Sequence, residues 1–293
     1  MKKTQVSLVS LLLILVLALG LTACSAAPKA EVEETPGDAA VAAPENPVIR
    51  LSTTTSVNDS GLLPYLQPSF EADTGYTLEI TSAGTGAAIE KGRTGDADAL
   101  LVHAKASEEE FIAEGYAAGR IPFMYNFFVI VGPADDPAGV RSCESASEAF
   151  KKIAESGCGF ISRGDDSGTH KAELKIWQAA GLEPSGDTDT WYISAGAGMG
   201  ACLNMAQEQQ CYVLTDKATF LSHEDTLEIL LEKSDEMKNT YSMLVISADK
   251  WPYTNIAGAD AFVNWMLSDK ARGLINAYGV EEYGEQLFFT IDE

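Results

Sequence analysis

Basic residues are scarce in this chain. Twenty Lys and Arg stand against 43 Asp and Glu, a formal net charge of −23. Such a balance excludes nucleic-acid binders, which need basic patches to neutralise phosphates. Histidine occurs only as His103, His170 and His223, too dispersed for a metal centre. The five Cys include no CxxC pair, which excludes the common zinc sites. No Gly-rich turn carries the Lys of a P-loop. The strand-turn-helix elbow of hydrolases, G-x-S-x-G, is also missing: Gly164-Asp165-Asp166-Ser167-Gly168 has one residue too many. No enzyme is expected, and no cofactor.

Long apolar runs are missing too. The longest, 6–19, follows Lys2 and Lys3 and is shorter than a membrane span. It reads as a secretory signal over 1–23. The residues LTAC (21–24) resemble a lipobox, which implies cleavage before Cys24 and lipidation of that Cys. Loss of Lys2 and Lys3 takes the net charge to −25 by the same count. Residues 24–47, rich in Ala, Glu and Pro without apolar periodicity, read as a flexible tether. An exported chain retaining Cys143, Cys158, Cys202 and Cys211 permits two disulfides or four buried thiols, and the spacing leaves both open. With 46% hydrophobic residues, the body beyond the tether has material for a large core.

What the body does have is alternation. Strand-like stretches at 48–51, 76–81, 99–102 and 125–131 are interleaved with helix-like stretches at 61–74, 85–93 and 108–117. A second series follows: a helix at 146–155, a strand from Phe160, then helices at 171–180, 200–207 and 217–221 between strands at 191–193 and 212–214. A strand at 242–247 and helices at 257–267 and 269–278 close the chain. This order predicts an α/β fold with largely parallel sheets covered by helices. Two lobes are expected, the first from 48–132 and 245–293, the second from 133–244, with hinge crossings near Gly132-Pro133 and Tyr241-Ser242.

Ligands of open α/β sheets sit beyond the carboxyl ends of strands. Four donor-rich or Gly-rich turns fall there. SRGDDSGTH (162–170) combines Arg163, a planar fork of donors, with hydroxyls and free N–H groups at a helix start. Asp165 is placed to hold the guanidinium. STTTS (52–56) brings hydroxyls ahead of Asn58-Asp59-Ser60; read alone, it is equally a capped helix. SAGTG (82–86) and GAGMG (196–200) allow close backbone approach, and tight turns explain them as well. His170 either donates into the cleft or caps its own helix.

STTTS, SAGTG, GDADALLVHA (95–104), MYNFFVIVGP (124–133), SRGDDSGTH, WYISAGAGMG (191–200) and YVLTD (212–216) together resemble the tungstate-binding proteins of ABC importers, over nearly all of the body. The resemblance implies a two-lobed type II periplasmic-binding-protein fold with a hinged cleft. It implies capture of tungstate and delivery to an ABC permease, by a lipoprotein on the extracytoplasmic face of the cell membrane. The implied contacts are Thr54, Thr55, Ser56, Ser82, Thr85, Arg163, Ser167, Gly168 and Thr169. Molybdate and phosphate are the alternatives. Phosphate-binding proteins share a similar Arg-x-Asp-x-Ser-Gly-Thr loop, but in them an acidic acceptor follows the third strand. Here LLVHAKAS (100–107) has His103 and no carboxylate, which favours a proton-free anion met by donors.

Overall fold

The structure is a computed structural model that describes residues 44–223 and 226–291. The signal segment, Cys24 and most of the tether lie outside the described residues. All described residues belong to one compact unit, 41–293.

The first series runs β1 (Val48–Thr54), α1 (Thr55–Asp59), α2 (Leu62–Thr74), β2 (Thr77–Ala83), α3 (Thr85–Thr94), β3 (Ala99–Val102), α4 (Lys105–Ala113) and β4 (Ile121–Gly132). The second runs α5 (Ala146–Ser156), β5 (Phe160–Ser162), α6 (Gly168–Ala179), β6 (Tyr192–Ser194), α7 (Met199–Gln209), β7 (Tyr212–Asp216), α8 (Lys217–Leu221) and β8 (Glu228–Leu231). The chain then returns through β9 (Lys238–Val245), α9 (Ile256–Met266), α10 (Asp269–Ala277), α11 (Val280–Tyr283) and β10 (Phe289–Thr290).

The strand order is β2-β1-β3-β9-β4-β7-β5-β6, with β8 and β10 also on β4. Pairing is parallel within each series, β1 with β2 and β3, and β5 with β6 and β7. It is antiparallel wherever β4 or β9 takes part. The sheets are therefore mixed, not largely parallel. A returning strand that follows a hairpin-free excursion through the second series enters the first sheet from the opposite end.

Strand β4 is shared. Ile121 to Phe127 pair with β9, whereas Phe128 to Val131 pair with β7. The change of sheet falls inside the strand, not at its end near Gly132-Pro133. The return also comes earlier than Tyr241-Ser242, because pairing with β4 already begins at Lys238.

Each half is covered on both faces, as buried parallel strands require. Leu51, Phe70, Phe262 and Trp265 form one cluster; Ile89, Leu100, Phe111 and Leu244 form the cluster behind it. In the second half, Phe128 and Ile130 join Phe150, Phe160 and Trp177, while Val129 and Val131 join Ile161, Leu203 and Val213. The alternation along β4 is the two-residue period of a strand buried on both sides.

Several boundaries differ from the sequence reading, and β4 and β9 both start earlier, at Ile121 and Lys238. Helix α4 starts earlier, at Lys105, and ends earlier because Gly115, at φ +81°, takes the left-handed conformation that stops it. Helix α6 starts at Gly168 because Ser167 caps it. Ser52 to Thr54 continue β1, so STTTS is half strand and half helix start, not a loop. Strands β8 and β10 have no counterpart in that reading. Cys143, Cys158, Cys202 and Cys211 are free, which decides the disulfide alternatives in favour of thiols.

Candidate functional site

Every expected contact lies at the end of a strand or the start of a helix. Thr54 ends β1, and Thr55 and Ser56 open α1. The hydroxyls of Ser52 and Thr53 are spent on the carbonyls of Ala88 and Leu101. Those of Thr54 and Ser56 meet each other at 3.1 Å, and Ser56 Oγ meets His103 Nε2 at 2.9 Å. Register places Ser82 beside Thr53. Thr85 opens α3 fully buried, and its hydroxyl has no partner.

From the second series, β5 delivers Arg163, only 4% exposed. Its Nη2 donates to Asp165 Oδ2 at 2.6 Å, so Asp165 holds the guanidinium as expected from sequence. Its buried Nε has no partner. Burial acts to raise the Asp165 pKa, but hydrogen bonds from Ser167 and the charge of Arg163 prevail and hold the carboxyl below its ordinary range. Gly164 turns at φ +60°, where a Cβ would collide with Ser194. Ala197 N–H donates to the Arg163 carbonyl, so the GAGMG run braces this loop from behind.

Ser167 Oγ accepts from His170 N–H and caps α6, leaving Gly168 and Thr169 buried in the first turn. His170 Nδ1 accepts from Asp166 N–H at 3.1 Å, so the ring ties down its own loop. Burial first of all lowers its pKa, which keeps that acceptor available.

The two halves touch across these elements. A Cβ at Gly86 would lie 3.0 Å from Asp166, one at Gly84 3.9 Å from the Asp165 carbonyl, and one at Gly168 would collide with the His103 ring. Lys171 Nζ reaches Ser107 Oγ at 3.5 Å.

Between them lies a cavity of about 190 Å³ lined by Thr55, Ser56, Arg163, Asp216, Thr219 and four or more neighbours. That is smaller than the ~300–1,000 Å³ of clefts for organic ligands and suits a small ion with a few waters. Thr55, Ser56 and Arg163 line it directly; Thr54, Ser82, Thr85, Ser167, Gly168 and Thr169 do not.

Several wall residues were not assigned to the site by sequence reading, among them Asp59, Asp216, Thr219, Ser222 and His223. Asp216 ends β7, is buried, and accepts from Thr219 N–H at 2.9 Å. Thr219 Oγ1 is buried without a partner. The wall is therefore not made of donors alone. Burial raises the Asp216 pKa, with the Thr219 N–H opposing, so its charge is disfavoured where an anion would approach. The available signal was YVLTD followed by a helix, the same strand-to-helix form as the other turns. His103 stands at the edge, with Nδ1 enclosed and unpartnered. Burial lowers its pKa to about 4, so the ring is neutral.

A small chamber lined by Thr55 and Ser56 from the first series and by Arg163 and Thr219 from the second, between two α/β lobes, defines a binding protein. The chain matches the PBP superfamily domain over residues 41–270 and belongs to that superfamily of periplasmic-binding-protein folds. It is 46% identical over 282 residues to the tungstate-binding protein TupA of Peptoclostridium acidaminophilum, covering 94% of each chain. TupA from Desulfovibrio alaskensis G20 superposes with a TM-score of 0.73 at 39% identity, over 84% of this chain and 100% of that one. The tungstate ABC transporter structure from Geobacter sulfurreducens gives the same score and identity over 79% and 98%. These are proteins of binding and transport, not enzymes.

Proposed function

We propose that this protein captures tungstate between its lobes and delivers it to an ABC permease. The observation that carries the reading is the pair of buried, unpartnered polar groups on the cavity wall, Arg163 Nε and Thr219 Oγ1; Thr85 Oγ1, buried and unpartnered at the start of α3, lies off that wall. An unsatisfied buried donor costs about 1–3 kcal/mol. A fully deprotonated dianion, which only accepts, relieves that cost.

Thr54, Thr55, Ser56, Ser82 and Thr85 would serve as contacts from the first lobe, 48–132 and 245–293. Arg163, Ser167, Gly168 and Thr169 would serve from the second, 133–244, with Thr219 added from the cavity wall. The shared strand β4 and the return before β9 would form the hinge. Closure would exclude water and strengthen each charge-assisted bond. Lipidation at Cys24 and a tether over 24–47 would hold the body at the outer face of the membrane, within reach of the permease. Among the described residues no helix is long and apolar enough to cross a membrane.

A second reading, a proton-bearing anion such as phosphate, is favoured by the carboxylates of Asp59 and Asp216 on the cavity wall, either of which would accept that proton. Titration calorimetry with tungstate, molybdate, phosphate and sulfate separates the readings. Tungstate binding with phosphate silent supports the first. Tight phosphate binding overturns it, and molybdate tighter than tungstate would reassign the cargo.

A further inference from the structure

A second cavity, about 570 Å³, adjoins the small one. Its walls hold Lys105, Arg120, Lys171, Lys175 and Lys238 against a single carboxylate, Glu236. Five of the chain's 20 basic residues therefore meet in one chamber of a molecule whose net charge is −23. The balance is real but partial. Arg120 is paired with buried Glu108 at 2.6 Å, Lys171 with Asp166 at 3.2 Å, and Lys105 with Glu109 at 3.6 Å. The last pair is largely exposed and contributes little. Among the described residues, Lys175 and Lys238 have no carboxylate partner, and Lys238 Nζ only overlies the Tyr125 ring at 3.9 Å. Glu236 is engaged by the backbone N–H of Ser147 at 2.8 Å.

The partition between the chambers is thin. His103 and Gly168 both line the large cavity, and they touch each other. His103 is bonded to Ser56, which lines the small one. His103 therefore links the wall of the basic chamber to that of the candidate oxyanion site. The large chamber has room for over a dozen waters at about 30 Å³ each, so an ion there keeps its hydration shell and is held loosely.

We propose that this chamber is an antechamber for the anion: a weak site in which Lys105, Lys175 and Lys238 collect a hydrated dianion before it passes His103 to Arg163. This rests on the oxyanion reading above. A strongly acidic body repels dianions at long range, and a cleft lined by the opposite sign restores the local concentration. Focusing of this kind changes association rates by about 10–10³-fold and weakens steeply with ionic strength.

The test is the rate of uptake of radiolabelled tungstate at nanomolar concentration, followed by rapid filtration with the intact protein. In Lys105→Gln/Lys175→Gln/Lys238→Gln the association rate should fall about tenfold at low ionic strength, approach the wild-type rate at high salt, and leave the dissociation rate unchanged. Glu236→Gln should raise the association rate roughly twofold or more, and tests the idea even if the triple variant folds poorly. Association at the wild-type rate in both variants, or a loss that is the same at every salt concentration, overturns the antechamber. If the wild-type protein takes up no tungstate at equilibrium, the oxyanion reading fails first and the antechamber with it, an outcome plainly distinct from a kinetic one.

Discussion

The residues with most at stake are those whose polar atoms are buried and idle. Arg163→Ala removes a buried cation and its fork of donors. It should cost about 2–5 kcal/mol of tungstate affinity, read by titration calorimetry, and an unchanged affinity would remove Arg163 from the site. Thr85→Val keeps the shape and deletes a buried hydroxyl that has no partner. The unliganded protein should become about 1 kcal/mol more stable to denaturant while binding weakens by about 1–2 kcal/mol. A merely structural Thr85 would not give opposite signs. Glu173 is a third case. It accepts from Ser162, Trp177 and Tyr192 inside the second lobe, yet burial pushes its pKa up to about 7. The folded state then holds the proton more tightly than the unfolded chain. Stability is complete below the ordinary carboxylate pKa and declines as pH rises toward about 7, by up to ~3 kcal/mol. Glu173→Gln should flatten that decline in pH-dependent denaturation curves.

At the scale of elements, strand-to-helix junctions do the positioning, and they were the most legible part of the sequence. SRGDDSGTH and STTTS announce donors through residue type alone, since hydroxyls, Arg and Gly at a helix start have few other uses in combination. Asp216 and Thr219 were not legible, because a lone Asp before a short helix looks like any cap, and capping is indeed one thing Asp216 does. Strand β8 was missed because its four residues, EILL, are no more apolar than a buried helical turn. Its identity comes from pairing with β4, a long-range fact. The start of α6 is also where the lobes meet. Gly168→Ala would set a methyl group against the His103 ring and hold the cleft ajar. Overpacking costs about 1–3 kcal/mol, so affinity should drop roughly tenfold or more while the empty protein keeps its melting temperature. Small-angle scattering with tungstate should show a contraction for the wild type and none for this variant.

For the molecule as a whole, the α/β alternation predicted the two lobes, but not how they are joined. Periodicity marks YNFFVIV as one apolar strand; nothing in it marks Phe127–Phe128 as the place where the neighbour changes from β9 to β7. A ligand gripped from both lobes stabilises the whole fold by mass action. Tungstate at 100 times its Kd should add about 2.7 kcal/mol to unfolding, visible as a rise in Tm that sulfate does not reproduce. The position of β9 has a further consequence, in the order of events as the chain is made. It sits between β3 and β4, yet it is synthesised more than a hundred residues after either. Until residue 245 is available, the first sheet has two open edges where its centre should be, and open edges invite pairing with other chains. The N-terminal half thus cannot mature on a nascent chain ahead of the rest. Long-range closure of this kind slows folding, so completion of the first sheet waits on residues 238–245.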